Sequence, residues 1–389
     1  MRIGVPKEVV PGENRVALVP DIVAQLVKKG VQVSVQSGAG QGASFLDEAY
    51  EKAGATIVPD AATLYVDSDL VCKVQRPIQH PDTGKHEIEM LRSGSTLITF
   101  FQPLVNHDLV RMLRDRGVSA FSMDAIPRIT RAQSMDALSS MSTVAGYKAV
   151  LIAADSMGKF FPLLMTAAGS VPPVRAFILG AGVAGLMAIA TARRLGAVVE
   201  AFDVRPAVKE QVQSLGAKFV EMPLEESAET AGGYAKALSE DAHRREVELL
   251  HKHVKDSDVV ITTALIPGRP APVLVTEEMV RDMKPGSVIV DLAAENGGNC
   301  ALTEPGCDFI RHNVRIIGPL NLPSAMPVHA SQLYSKNILN LLNLLIKDGQ
   351  LALNMEDEIV AGTLITHNGQ ITNANVRKVV EPASEGVAP

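Results

Sequence analysis

Residues 175–203 read RAFILGAGVAGLMAIATARRLGAVVEAFD, and the fold follows from this stretch. RAFIL is an apolar, β-rich run. Gly180, Gly182 and Gly185 come next in GxGxxG spacing, then the helical pattern VAGLMAIATARRL, then a second β-rich run closing on Asp203. Glycine at the first two positions permits a tight turn and lets backbone N–H groups reach a pyrophosphate at the helix N-terminus, while the third lets helix and strand pack closely. Asp203 stands eighteen positions beyond Gly185, where a carboxylate accepts hydrogen bonds from the adenosine ribose hydroxyls. Three small residues could simply serve close helix packing. Strand, helix and acid occurring together instead favour a dinucleotide site.

Ala181 and Val183 lie within the turn and Val204 and Arg205 follow the acid, so all four join the expected cofactor-binding set. An arginine near this position can accommodate a 2′-phosphate, but Asp203 would repel one. The expected cofactor is therefore NAD(H) rather than NADP(H).

Further along the chain, KFVEM, DVVITTAL, SVIVDLA and VRIIGP bring the strand candidates to six, the number a full dinucleotide-binding sheet requires. Upstream, IGVP, VQVSV, DLVCKV, STLITFF and VSAFSM alternate with helical patterns at residues 21–29 and 106–116, each ending close to a glycine, Gly30 or Gly117. That alternation implies a parallel sheet covered by helices on both faces. Helices are also expected over residues 140–157 and 331–346, and Asn368-Gly369 suits a type I′ hairpin turn. The expected fold is α/β: two Rossmann-like, doubly wound parallel-sheet domains, the second inserted into the first. The outer domain comprises residues 1–139 and 326–389, the NAD(H)-binding domain residues 140–325.

A chain of 389 residues is past the size at which one core keeps growing, consistent with two domains. Its net charge of −6 offers no bulk attraction for nucleic acid or an anionic membrane. Cys72, Cys300 and Cys307 form no disulfide framework and no CxxC pair, so a reducing, cytoplasmic setting is expected. MRIGVPKE becomes charged before an apolar signal segment could develop. Residues 160–174 and 176–192 lack charge, but prolines and glycines interrupt them below spanning length, and no direct membrane span is expected. His251 and His253 are two apart and face different sides of a helix, and no metal site is expected.

MRIGVPKE with ENRVAL, KVQRP, LITFFQPL, ILGAGVAG, TTALIPGRPAPVLV and MKPGSVIVDLAAENGG together resemble the alanine dehydrogenase and transhydrogenase superfamily over nearly the whole chain. In alanine dehydrogenases the KVQRP segment reads KVKEP, its lysine binding the substrate carboxylate, and the LITFFQPL segment carries an acid/base histidine. Those places hold Gln75 and Gln102 here, the aspartate expected in DLAAENGG is Glu295, and Arg15 is kept. Glutamine has no charge to match a carboxylate and exchanges no proton near neutral pH, so amino-acid chemistry loses both recognition and acid/base catalysis.

PRITRAQSMDALSS resembles a loop of the transhydrogenase branch. The resemblance implies that Arg128, Gln133 and Asp136 position the dihydronicotinamide, with Ser139 as a further contact. A helix N-cap is the plainer reading of Asp136 and Ser139. EESAETAGGYAKALSED resembles the branch's mobile loop, with Gly232-Gly233 as hinge and Tyr234 closing over nucleotide, and Leu265 in TTALIPGRPAPVLV is a further expected cofactor contact. The branch implies NADH bound on this chain, NADP(H) on a partner domain, and direct Re/Si-specific hydride transfer between them. It further implies a homodimer held peripherally on the cytoplasmic face by the NADP(H)-binding domain and membrane-spanning subunits that translocate protons. The alternatives are a self-sufficient NAD-dependent amino-acid dehydrogenase of the alanine or saccharopine type, and a non-catalytic NAD(H) sensor.

Overall fold

Short β-branched runs separated by amphipathic helices build two large sheets in the computed structural model, which describes residues 1–222, 240–266 and 269–382. The chain divides into two compact units, Met1–Met141 with Ser324–Pro389, and Ser142–Pro323.

The first unit carries an eight-stranded sheet in the order Gln370–Ile371, Leu364–His367, Ser119–Ser122, Thr96–Thr99, Leu70–Cys72, Arg2–Val5, Gln32–Gln36, Thr56–Val58. Its six N-terminal strands are parallel, and the C-terminal hairpin adds two antiparallel strands at one edge. Leu70–Cys72 and Thr96–Thr99 are buried throughout, as parallel strands covered on both faces must be. At the hairpin, Asn368 and Gly369 both take positive φ, 49° and 72°, the signature of a type I′ turn. Helix Pro20–Lys28 turns Ile22, Val23 and Leu26 inward, and helix His107–Asp115 does the same with Val110 and Leu113. Both hand over to a glycine, Gly30 and Gly117, at φ 79° and 72°.

Helix Pro327–Leu345 forms the centre of this unit. Its buried Ser331 and Ser335 hydroxyls accept the N–H groups of Val16 and Val19 at 3.0 and 2.8 Å, partners that an extended segment lacking a ladder would otherwise miss. Elsewhere in the unit lies an ionic cluster. The fully buried Lys73 ammonium sits 2.5 Å from Glu87 and 3.4 Å from Glu8, Tyr65 donates to Glu87 at 2.6 Å, and the Val74 N–H donates to Glu8 at 2.6 Å.

The second unit carries a seven-stranded sheet in the order Lys218–Val220, Val198–Phe202, Arg175–Leu179, Val259–Thr262, Val288–Asp291, Val314–Ile317, Asp308–Arg311. All six strand candidates of the sequence are present. The added strand, Asp308–Arg311, is largely exposed and runs antiparallel at the edge, joined to its neighbour through His312 and Asn313 at positive φ. Strand order reverses between Arg175–Leu179 and Val259–Thr262, opening a crevice at the strands' carboxyl ends, which is where such sheets bind ligands. Residues 164–171, which the sequence marks only as a proline-bearing segment, form a separate hairpin, Leu164–Thr166 with Gly169–Val171, near which Phe160, Leu163 and Met165 are 60%, 56% and 80% exposed.

Helix Ala137–Ser156 is long and apolar enough to cross a membrane by length and composition. Yet it carries Lys148 and Asp155, and its Ala149, Val150 and Ala153 belong to the core of the second unit. At Gly146 a Cβ would lie 2.1 Å from the Ala184 carbonyl oxygen, so this helix packs backbone to backbone against the start of helix Val183–Arg194.

Candidate functional site

The three glycines of the turn have separate physical reasons. Gly180 takes φ 96°, and a Cβ there would meet the Thr263 hydroxyl at 2.5 Å. That hydroxyl donates to the Gly180 carbonyl at 3.1 Å and ties the turn to the neighbouring strand end. At Gly185 a Cβ would stand 1.8 Å from the same carbonyl oxygen. Gly182, the N-cap of helix Val183–Arg194, has no atom within 4 Å of its Cβ position and faces open space. The first and third glycines are thus required by the protein, the second by whatever approaches the turn. The helix has no acidic residue in its first turn, so its N-terminal N–H groups face that space without a carboxylate of their own helix in competition.

Gly185→Ala is expected to lower stability by about 1–3 kcal/mol, because a backbone carbonyl cannot yield as a side chain can. Urea unfolding would show it as a reduced midpoint, and a midpoint equal to that of the unmodified chain would mean that the turn relaxes freely.

Asp203 is held close to the turn. Its side chain is 6% exposed and accepts the Ala181 N–H at 2.8 Å and the Arg205 N–H at 2.9 Å. The Arg205 guanidinium also grips it, Nε to Oδ1 at 2.9 Å and Nη2 to Oδ2 at 2.7 Å. Ala181 is buried and Val204 half-buried, whereas Val183 and Leu265 are exposed beside the crevice strands.

A residue that sequence reasoning missed organises the far side of the crevice. Asp291, fully buried at the end of its strand, accepts five hydrogen bonds between 2.7 and 3.0 Å, from the Thr262 and Thr303 hydroxyls and the N–H groups of Ala293, Asn299 and Cys300. Asn299 then clamps Ala264 from both sides, its oxygen accepting the Ala264 N–H and its amide donating to the Ala264 carbonyl, both at 2.9 Å. The backbone just before Leu265 is fixed this way. Glu295, four residues past Asp291, is exposed and accepts the Asn321 N–H at 2.6 Å.

In the first unit, the loop at residues 128–139 presents Arg128 and Gln133 towards its surface, with Asp136 and Ser139 half-buried. Asp136 caps helix Ala137–Ser156, accepting the Ser139 N–H at 2.9 Å and the Ser139 hydroxyl at 2.6 Å. The plainer reading of these two residues therefore holds at least as a structural role. Gln133 rides on the 3₁₀ turn Thr130–Met135, anchored by buried Ala132 and Met135 and by the Asn337 and Asn340 amides, which donate to the Ser134 carbonyl at 2.9 and 3.0 Å.

Arg15 is buried against Glu13, with Nε at 2.7 Å from Oε1 and Nη2 at 2.6 Å from Oε2, and Gln75 donates to the same carboxylate at 2.8 Å. Gln102 holds a left-handed φ of 46°, its N–H donating to Asp124 at 2.8 Å. Burial pushes the Asp124 carboxyl above its ordinary range, against the pull of the Gln102 and Phe101 N–H groups. His251 and His253 pair with different carboxylates, Asp282 and Glu200, and among the described residues no group of three or more His, Cys, Asp or Glu could hold a metal ion. Gly232, Gly233 and Tyr234 lie outside the described residues.

Comparison with known proteins places the whole frame. The family models for the alanine dehydrogenase/PNT N-terminal and C-terminal domains match residues 4–145 and 149–374. A chain of the NAD(P) transhydrogenase subunit alpha of Rhodospirillum rubrum is 50% identical over 377 residues, covering 96% of this chain and 98% of the relative. Alanine dehydrogenase 2 of Staphylococcus aureus is 32% identical over 389 residues, covering 98% and 97%. The solved transhydrogenase from Sinorhizobium meliloti superposes with a TM-score of 0.83 at 43% identity, covering 96% of this chain and all of that one. With both domain models matched in chain order and relatives similar over nearly their full length, the chain belongs to the alanine dehydrogenase/PNT family.

Proposed function

We propose that this chain is the NAD(H)-binding component of a proton-translocating transhydrogenase, holding NADH for direct hydride transfer to NADP⁺ on a separate partner domain. The observation that carries the reading is Gln75 donating to Glu13 beside Arg15, where the alanine dehydrogenase pattern has a lysine for a substrate carboxylate. An amide bound to an internal carboxylate offers an incoming acid no charge. The greater likeness to a protein named transhydrogenase than to one named alanine dehydrogenase, 50% against 32% identity, supports the same choice.

The residues present fit a dinucleotide, since the turn leaves open space at Gly182 alone and aims a helix N-terminus at it. The backbone N–H groups of the turn bind the pyrophosphate, Asp203 accepts from the adenosine ribose, and Ala181, Val183, Val204, Arg205, Tyr234 and Leu265 complete the enclosure. Arg128, Gln133, Asp136 and Ser139 orient the dihydronicotinamide. Bound there, NADH supplies the hydride, so the protein needs no proton donor, only position. The assembly proposed is a homodimer, peripheral to the membrane on its cytoplasmic side and docked to the NADP(H)-binding domain and membrane-spanning subunits. The apolar hairpin at residues 164–171, with Met165 80% exposed, suits burial against another chain.

Titration of the purified chain with NADH and NADPH is expected to give at least about tenfold tighter binding of NADH, because a 2′-phosphate would meet the Asp203 carboxylate. The same preparation should show no alanine-dependent reduction of NAD⁺. Equal affinities would remove the NAD(H) assignment, and a robust alanine-dependent rate would return the chain to the dehydrogenases.

A further inference from the structure

Asp203 has no room for a ribose as it stands. A carboxylate offers about four acceptor sites on its two oxygens. Four protein donors already use them: the N–H groups of Ala181 and Arg205, and Nε and Nη2 of the Arg205 guanidinium, at 2.7 to 2.9 Å. The two backbone donors belong to the turn and the loop and stay wherever those stay. The guanidinium is different, because it sits at the end of a rotatable side chain that remains 19% exposed.

We infer that Arg205 is an internal competitor for the ribose-recognising carboxylate: its two side-chain N–H donors hold the acceptor positions that two ribose hydroxyls need, and an arriving nucleotide displaces them. The inference rests on the proposed NAD(H) site and concerns how that site is tuned. The match is one for one, since two guanidinium N–H groups leave and two hydroxyls take their place, with both backbone bonds to Asp203 kept. A bidentate arginine–carboxylate pair is among the stronger charge-assisted contacts, so breaking it lowers the net affinity for nucleotide. The displaced guanidinium, two residues from Asp203, stays beside the ribose and lessens the repulsion of a 2′-phosphate. Arg205 thus weakens NADH binding and narrows the discrimination against NADPH.

The test measures dissociation constants of NADH and NADPH by calorimetry for the full chain, Arg205→Ala and Arg205→Lys. Arg205→Ala is expected to bind NADH about threefold tighter or better and NADPH no tighter, so that the ratio of the two constants widens. Arg205→Lys, which keeps the charge but cannot grip both oxygens through a planar fork, should fall between the other two. Weaker or unchanged NADH binding by a folded Arg205→Ala chain would overturn the inference alone and make the arginine an organiser of Asp203. Should Arg205→Ala fail to fold, Arg205→Lys decides by the same sign of change in NADH affinity. If the unmodified chain binds neither nucleotide, the proposed site itself fails and this inference with it.

Discussion

Lys73→Met is expected to destabilise the chain by about 3–5 kcal/mol, the range found when one partner of a buried ion pair is removed. The ammonium is fully buried, 2.5 Å from Glu87 and 3.4 Å from Glu8, and methionine would leave both carboxylates without their cation. Burial already pushes Glu8 above the usual carboxylate range, against the pull of Lys73. Burial would also push the lysine down, but Glu8 and Glu87 together hold it above the ordinary lysine range. Its folded value being raised, the contribution is complete below the unfolded lysine pKa and is lost only as pH rises through the folded one. The effect of Lys73→Met is therefore expected throughout the neutral range. Urea unfolding at neutral pH measures it, and a loss under about 1 kcal/mol would mean that the cluster reprotonates or hydrates on losing its cation. Adding Glu87→Gln should recover part of the loss, because one uncompensated charge is removed while an acceptor for Tyr65 remains.

Gln133→Asn is expected to separate binding from chemistry. Most nucleotide affinity should come from the pyrophosphate turn and Asp203, whereas Gln133 would fix where the ring sits. Hydride transfer requires reacting atoms about 3–3.5 Å apart, and a displacement near 1 Å can reduce the rate by about a hundredfold. Asparagine keeps the amide and shortens its reach by one methylene. The 3₁₀ turn beneath cannot follow the shorter side chain, since Ala132, Met135 and the two asparagine amides on Ser134 anchor it. NADH affinity should change little, while single-turnover transfer to NADP⁺ on the partner domain falls at least about tenfold, about 1.4 kcal/mol in the barrier. Collapse of affinity with a normal transfer rate at saturation would make Gln133 a binding residue instead.

Local signals are the legible ones. A glycine whose added Cβ would strike a carbonyl 1.8 Å away leaves its mark as GxGxxG, and fully buried parallel strands leave theirs as short apolar runs. The hairpin at Asn368-Gly369 is equally plain, because only a few residues accept positive φ at both positions. Edge strands are not. Thr56–Val58 has three residues and Asp308–Arg311 is mostly exposed, so neither carries enough pattern to stand out. Within the site, Asp291 does not announce itself in the sequence because its five donors come from three separate segments that meet only in the fold. Position alone marks Arg205 as bearing on the choice of nucleotide. That it closes on Asp203 depends on a side-chain conformation, to which sequence spacing is blind.

The order of strands in the first unit has a consequence for synthesis. Ser119–Ser122 acquires its outer neighbour only when Leu364–His367 emerges, after the entire second unit, Ser142–Pro323, has been made. At translation rates of roughly 5–20 residues per second, that strand waits on the order of ten to fifty seconds with an open edge. The inserted unit carries every strand of its own sheet and can fold during the delay. Once folded, it replaces a long flexible loop with a compact body, so closure of the outer sheet no longer bears the full entropy of joining ends so far apart in the chain. Birth order and contact order pull in opposite directions here, and the insertion reconciles them by letting the middle of the gene finish first.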